Sequence, residues 1–433
     1  MKAIITLKLV FKKGWKAPFF TLWTGQAFSL LGSQLVGFAL VWYLTDLTGS
    51  AKVLVTAAMM EWLPKVILGP LAGALVDRWN RRLVMLSADS LTAIATGAII
   101  YLGWSGNLQL WQIYTLMMVR SIGTSFHFPA MLASTSLMVP EGQLARIQGL
   151  NQLLQGLMNI VAPLLGALLI SLIPLHGVLA VDIGTAVLAI LALLIIYIPQ
   201  PRKEEASESM KTSVWGEMSA GFRYVWNWAG LKKVLVLAVT INLISMPAII
   251  LMPLLVKVEF SGGAMEIATM QSAWAFGFVI GGLVLSIWGG FRRKIITATL
   301  GMFGSCIGML LVGIAPGTAF MLAVGGILIA GLMNVLMNGP AFALLQTIVE
   351  ARMQGRVMSL VISLANAMTP IGLAFAGPLA EFTGVRAWFI LASAVFLLAG
   401  IYALVDSDLR NIEGKPRQKE SEGDLSTSSV VST

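Results

Sequence analysis

Phe128-Pro129-Ala130-Met131-Leu132-Ala133 recurs as Gly339-Pro340-Ala341-Phe342-Ala343-Leu344, with Pro129 and Pro340 separated by 211 residues. The same offset carries the pair Arg81-Arg82 onto Arg292-Arg293, and each copy of the quoted stretch is followed by an arginine, Arg146 or Arg356. Farther on, Ala162-Pro163-Leu164-Leu165-Gly166 has a counterpart in Thr369-Pro370-Ile371-Gly372. One such match could be the common look of Gly- and Pro-bearing apolar helices. Three near one offset indicate a chain built from two related halves.

Composition says what the halves are made of. Of 433 residues, 57% are hydrophobic and 11% charged, and the mean hydropathy is +0.85. A soluble domain carries about 25% charged residues, so this chain could not cover its apolar surface in water. A single cysteine, Cys306, excludes a disulfide scaffold. A membrane-spanning helix takes about 20 residues, and with short connections the length accommodates about twelve to fourteen of them. Apolar runs bounded by Gly, Pro or charges place spans at 18–45, 50–76, 82–103, 109–137, 144–173 and 176–199. Six more fall at 230–256, 265–289, 294–315, 318–345, 355–380 and 385–406. The expected fold is an all-α membrane protein of twelve transmembrane helices in two six-helix bundles. Its expected parts are a basic N-terminal anchor (1–17), the first bundle (18–199), a polar cytoplasmic linker (200–229), the second bundle (230–406) and a disordered tail (407–433). The first apolar run is too long for a signal-peptide core, so it reads as a retained span.

An even number of spans puts both termini on one side. With that side inside, inner segments hold 24 of the 29 Lys and Arg, and outer segments hold only Lys52, Lys257 and Arg386. This is the positive-inside bias of a cytoplasmic-membrane protein with both termini cytoplasmic. The net charge of +9 is therefore a record of topology and implies no nucleic-acid partner. Six helices separate the repeats, so both halves share one orientation. Parallel repeats about an axis along the membrane normal build one transporter class, with substrate held near the midplane between them.

The most specific local signal is Gly73-Ala74-Leu75-Val76-Asp77-Arg78-Trp79-Asn80-Arg81-Arg82, between the second and third spans. Gly73 would allow close helix approach, and an Asp at a helix end gains from the dipole of a facing N-terminus. The stretch resembles motif A of the major facilitator superfamily, in which Gly is usual where this chain has Asn80. Asn tolerates a left-handed backbone, so the tight turn is expected to survive. The resemblance implies that Gly73, Asp77, Arg78, Arg81 and Arg82 form a cytoplasmic gate. In the family the Asp meets the start of the eleventh span, here near Gly355, and latches the outward-open state. The second-half copy, Trp288 to Lys294, keeps basic residues but lacks the Asp, so the latch should be asymmetric.

Charges inside spans are costly and need a partner or a task. Arg120, in the fourth span, matches the family's motif B arginine, which the resemblance links to proton coupling. A structural ion pair is the alternative. The acids are Glu61, Asp89 and Asp182. Glu61 and Lys65 have the i, i+4 spacing of a direct ion pair, so Glu61 is either a neutralised structural charge or a proton carrier. Asp89 can pair with nearby motif A arginines. Asp182 has no cation on its own helix, and a lone buried carboxylate can bind and release a proton near neutral pH. Asp182 and Glu61 rank ahead of Asp89 as coupling acids. Pro163 bends the fifth span, and Gly166 allows close packing there. The stretch is similar to the antiporter motif C, with Ala162-Pro163 where Gly-Pro is usual.

Gln26, Gln34, Asn151, Gln155, Asn159, Asn334, Asn338 and Asn366 are uncharged polar groups within spans that could line a substrate cavity, although such groups also join neighbouring helices. With few fixed charges and 23 Met, a bulky amphipathic ligand suits such a cavity better than a small anion. No metal-ligand spacing surrounds His127 or His176. No Gly-rich phosphate loop indicates a nucleotide-driven pump, and no nucleophile–base pairing indicates an enzyme. No cofactor is expected. The expected partners are a small-molecule substrate, protons and membrane lipid, and the chain is expected to be a monomer.

Within the superfamily, the first half resembles the bacterial macrolide-efflux transporters. The supporting stretches are Leu22-Trp23-Thr24-Gly25-Gln26-Ala27, Tyr43-Leu44-Thr45-Asp46, Gly69-Pro70 and Arg120-Ser121-Ile122-Gly123-Thr124. That resemblance implies a drug:proton antiporter exporting a hydrophobic compound from the cytoplasm. Siderophore exporters share parts of the pattern, so export of an endogenous metabolite or siderophore is the alternative. A membrane receptor without transport is a third reading.

Overall fold

The computed structural model describes residues 14–76, 78–199 and 214–414. Asp77 and residues 1–13 of the expected anchor (1–17) lie outside the described residues, as do linker residues 200–213 and tail residues 415–433. Among the described residues the first half contains six long helices: α1 (Lys16–Thr48), α2 (Ala51–Val76), α3 (Arg81–Trp104), α4 (Leu110–Met138), α5 (Glu141–Leu172) and α6 (Leu175–Ile195). An amphipathic helix α7 (Val214–Asn227) follows. The second half comprises α8 (Ala229–Ile250), its short continuation α9 (Met252–Phe260), α10 (Ala264–Trp288), α11 (Lys294–Ile314), α12 (Phe320–Ile348), α13 (Ala351–Thr383) and α14 (Val385–Val405). It closes on the short α15 (Ser407–Arg410). By length and composition, ten of these helices are apolar enough to cross a membrane. With α2 and α4, which carry Glu61, Lys65 and Arg120, they make the twelve expected spans.

The halves share one packing plan. In the first, α1 packs on α5 and α6, α3 on α4 and α6, and α2 on α4. In the second, α8 packs on α13 and α14, α11 on α12 and α14, and α10 on α12. These are the same five pairings under the repeat. The halves meet mainly through α5 against α10 and α2 against α13, two pairings that the repeat exchanges with each other. The internal offset of the sequence is thus a pseudo-twofold axis of the molecule, the geometry of parallel repeats.

Small residues set the close crossings. A Cβ on Gly32 would collide with Thr185 and touch Asp182, so α1 can lie against α6 at that level only with glycine there. Gly277 and Gly281, one turn apart on α10, face the α12 backbone at Leu328 and Leu332 in the same way. Without a hydrophobic force between helices in lipid, such backbone contact is a main source of association.

The apolar interior is not uniform. One large buried cluster joins both halves, running from Leu40, Leu44 and Leu54 to Leu254, Leu255 and Phe389. Two smaller clusters sit at the end of the bundle that holds Lys16 and Val405, here termed the terminal end. One, around Phe19, Met85 and Ile147, is made wholly of first-half residues. The other, around Leu231, Leu345 and Val357, belongs to α7 and the second half. Among the described residues, one buried cluster joins the halves at the distal end, and the clusters at the terminal end divide by half.

Candidate functional site: a cavity between two bundles

Between the halves lies a cavity of about 860 Å³. Its walls are α1, α2, α4 and α5 on one side and α8, α9 and α10 on the other. On α5 the lining positions Gly149, Gln152, Gly156, Asn159 and Pro163 recur at three- and four-residue steps, one face of a helix. Aromatic surface comes from Trp62, Trp274 and Phe278, and polar surface from Gln34, Gln152, Gln155, Asn159, Gln271 and Glu61. The cavity extends to Gly149, eight residues from the start of α5, and to Leu283, five residues from the end of α10, so it runs toward the terminal end.

Cross-half ion pairs close the distal end. Lys52 Nζ at the start of α2 lies 2.5 Å from Glu381 Oε2 near the end of α13, and Ser50 Oγ donates to Glu381 Oε1 at 3.3 Å. Lys257 Nζ on α9 lies 2.7 Å from Asp46 Oδ1 on α1. Deeper in, Ser272 Oγ on α10 donates to the Ile160 carbonyl on α5 at 2.8 Å.

The intramembrane charges sort into three arrangements. Arg120 Nη1 donates to Asp182 Oδ2 at 2.5 Å and to Thr96 Oγ1 at 2.6 Å. Thr96 Oγ1 lies 3.1 Å from Asp182 Oδ2, and Ser33 Oγ lies 3.4 Å from Oδ1. The Asp182 side chain is 1% exposed. The expectation of a lone carboxylate is therefore corrected: its cation comes from α4, across the bundle. Asp89 is corrected too. Its neighbours are Gln26 Nε2 at 3.2 Å and His127 Nε2 at 3.4 Å, because its side of α3 faces α1 and α4 rather than the arginines of the preceding turn. Glu61 and Lys65 form the expected i, i+4 pair at 2.8 Å, and Glu61 is a cavity residue.

The motif A segment also differs in detail. Asn80 has φ −68° and ψ 107°, an extended backbone, and its side chain caps α3 by accepting from the amides of Arg82 and Leu83. A cap thus takes the place of the left-handed turn that the sequence suggests for Asn80, because an amide oxygen at this position satisfies two N–H groups that the first helical turn leaves open. Left-handed steps occur in the second-half copy, at Gly289 (φ 74°) and Gly290 (φ 79°). Arg82 donates to the Leu193 and Leu194 carbonyls at 2.6 Å each, closing the open C-terminus of α6. Arg81 is buried, with Nη1 3.4 Å from the Ala133 carbonyl, and Arg78 is exposed. Gly73 does not make the close helix approach expected of it. Among the described residues, apart from its chain neighbours and its own helix backbone, no atom lies within 4 Å of where its Cβ would be, and the same holds at Gly355. Gly73 instead lines a shallow pocket with Pro129 and Leu144 at the terminal end. Gly166 packs as expected, against the Phe38 ring.

Of the amide candidates, Gln34, Gln155 and Asn159 line the cavity. Gln26 serves Asp89, Asn151 accepts from Trp23 Nε1 at 2.8 Å, and Asn338 donates to Asn334 at 3.1 Å. Asn366 is exposed and outside the lining. Gln152 and Gln271 line the cavity as well, beyond the sequence candidates. Gln152 could have been found by its seven-residue spacing from Asn159 on one α5 face. Among the described residues no group of three or more His, Cys, Asp or Glu could hold a metal ion.

Two fused pseudo-symmetric bundles around a central cavity define a membrane transporter architecture, and comparison with known proteins gives the family. The sequence matches the Major Facilitator Superfamily over residues 22–366 and 234–432, and the chain belongs to that family. It is 33% identical over 401 residues to Macrolide efflux protein A of Streptococcus pyogenes, covering 93% of this chain and 98% of that one. It is 24% identical over 419 residues to Multidrug efflux pump Tap of Mycobacterium tuberculosis, covering 93% and 96%. Among solved structures it superposes on a bacterial homologue of the iron transporter ferroportin with TM-score 0.66 and 14% identity, covering 88% and 98%. The D-xylose–proton symporter gives TM-score 0.65 and 15% identity, covering 88% and 96%. These relatives are transporters, not enzymes, and the chain is a multi-pass membrane transporter of small molecules.

Proposed function

We propose that this transporter exports a hydrophobic or amphipathic small molecule, of macrolide type, by proton antiport with alternating access. The observation that carries this reading is the division of the interior: one buried cluster fuses the halves distally, while separate clusters leave the cavity running toward the terminal end. The 24-to-3 distribution of basic residues supports a cytoplasmic terminal end. On that orientation the conformation faces inward, the state that loads an exported substrate. The open space beside Gly73 and beside Gly355 fits it, since the motif A latch belongs to the opposite state.

Each half keeps its five internal pairings as a rigid body, and two pairings between halves act as pivots. Opening outward would break the Lys52–Glu381 and Lys257–Asp46 pairs and bring the end of α2 toward the start of α13. In this reading Asp182 is the coupling acid. Protonation removes its charge, frees the Arg120 guanidinium, and changes the contacts of α4 with α3 and α6. Proton and substrate then act on one conformational equilibrium by favouring different states of it. A wall rich in amide and aromatic groups suits a large amphipathic compound, and the names of the relatives point to macrolides. The chain would work as a monomer, with its whole cavity built from one polypeptide. Drug efflux from proteoliposomes under an imposed pH gradient tests the reading.

A further inference from the structure

Glu61 is the one ionisable side chain lining the cavity among the described residues. It stands beside an indole, Trp62, with a second indole, Trp274, in the opposite half. Carboxylate and aromatic faces together are the groups that hold an organic ammonium: the acid supplies charge, and the ring face supplies cation–π attraction without strong hydration. This cation site is already filled by the protein itself. Lys65, one turn along α2 and outside the cavity lining, reaches back so that its Nζ lies 2.8 Å from Glu61 Oε1. The same Nζ lies 5.7 Å from the Trp62 ring centroid.

We propose that Glu61 and Trp62 form the amine-recognition subsite of the cavity, and that Lys65 is a tethered counter-ion displaced by a cationic substrate. The inference rests on the export reading above and adds the substrate class: amphipathic molecules with a basic amine. It also takes Glu61 out of the coupling role.

Exposure and partners separate this pair from Arg120–Asp182. The Asp182 carboxylate is 1% exposed and held by Arg120, Thr96 and Ser33, so an exchange of partner there would strand a buried charge. The Glu61 side chain is 43% exposed and that of Lys65 34%. A wet, single-contact ion pair of that kind is weak, and its lysine can move into water on its four-carbon stem. The Glu61 backbone is fixed while its head is free to exchange, because the Glu61 carbonyl accepts from Ser121 Oγ. Ser121 follows Arg120 directly on α4, so a ligand at Glu61 sits against the helix that carries the buried arginine. An empty cavity with Glu61 neutralised also avoids a bare carboxylate in the membrane.

The test measures binding to purified protein in lipid nanodiscs by tryptophan fluorescence. The probes are erythromycin, whose sugar carries a basic amine, and its N-demethylated, N-acetylated analogue, which is uncharged. The readout is the ratio of the two Kd values. Wild type should favour the amine by about two- to fivefold, the worth of one exposed ion pair. Lys65→Met, which removes the competitor, should raise that preference by about a further two- to fivefold. The double variant Glu61→Gln with Lys65→Met leaves no stranded charge and should bring the ratio to about one. Equal ratios in all three proteins would overturn the subsite while leaving the export reading intact. A loss of preference in the double variant with no gain in Lys65→Met would overturn the counter-ion role. Wild-type protein that binds neither compound would overturn the macrolide reading and this inference together.

Discussion

Arg120 Nη1 lies 2.5 Å from Asp182 Oδ2, joining α4 to α6 across 62 residues of sequence with both side chains nearly sealed from solvent. Removing one member of a buried pair strands the other charge, at a cost of about 3–5 kcal/mol. Asp182→Asn is expected to lower the thermal unfolding midpoint in detergent and to abolish drug-stimulated proton movement. Replacing the pair together, Arg120→Met with Asp182→Leu, should recover most of the stability and none of the coupling. A double variant that still couples would remove the pair from the proton pathway.

The distal gate makes a second prediction. Lys52–Glu381 and Lys257–Asp46 are partly exposed pairs, and each such pair is individually weak. Glu381→Gln with Asp46→Asn should therefore shift the balance of states toward outward-open by about two- to thirtyfold. Spin labels at Thr48 and Thr383, at the distal ends of α1 and α13, would report a growing long-distance population by pulsed electron resonance. An unchanged distance distribution would show that the pairs do not hold the gate.

Asn80 and Arg82 give a third. Asn80→Ala removes the cap of α3 and should cost about 1 kcal/mol, whereas Asn80→Gly should cost only a few tenths. Arg82→Lys loses the two-pronged donation to Leu193 and Leu194 and should release the end of α6. Faster amide hydrogen exchange over residues 190–198 would show it.

The spans were legible because a bilayer allows few solutions: apolar helices of fixed minimum length, with basic loops on one side. The repeat was legible because two Pro-bearing helices kept their neighbours. The Glu61–Lys65 pair was legible because i, i+4 contact is a property of one helix. Arg120–Asp182 and Asp89–His127 were not, since each needs the crossing of helices far apart in sequence. The amides divided for the same reason: composition marks Asn151 and Asn159 alike, and only packing puts Asn159 in the cavity and Asn151 against Trp23. Asn80 misled because the same residue serves both left-handed turns and helix caps.

A fourth prediction concerns the end of the second bundle, where the first residues of the expected tail are ordered as α15 and Leu409 and Ile412 are buried. Asp406 caps α15 through the Asp408 and Leu409 amides and pairs with Lys233 Nζ at 2.5 Å. The Lys233 ammonium, with help from those amides, holds the Asp406 carboxyl below its ordinary value of 3.8. A depressed pKa stabilises above the unfolded value and loses that contribution as pH falls through the folded one. Asp406→Ala should therefore loosen α15 at neutral pH, seen as faster hydrogen exchange at Leu409 and Ile412. The difference from wild type should shrink below about pH 4.

The most direct test of export by proton antiport uses purified protein in liposomes, with erythromycin outside and the interior made acidic. Inverted molecules, with the terminal end outward, should then concentrate the drug inside as protons leave, and the accumulation should vanish when an ionophore collapses the gradient. Accumulation that is the same with and without the gradient, or absent with both, would contradict the mechanism.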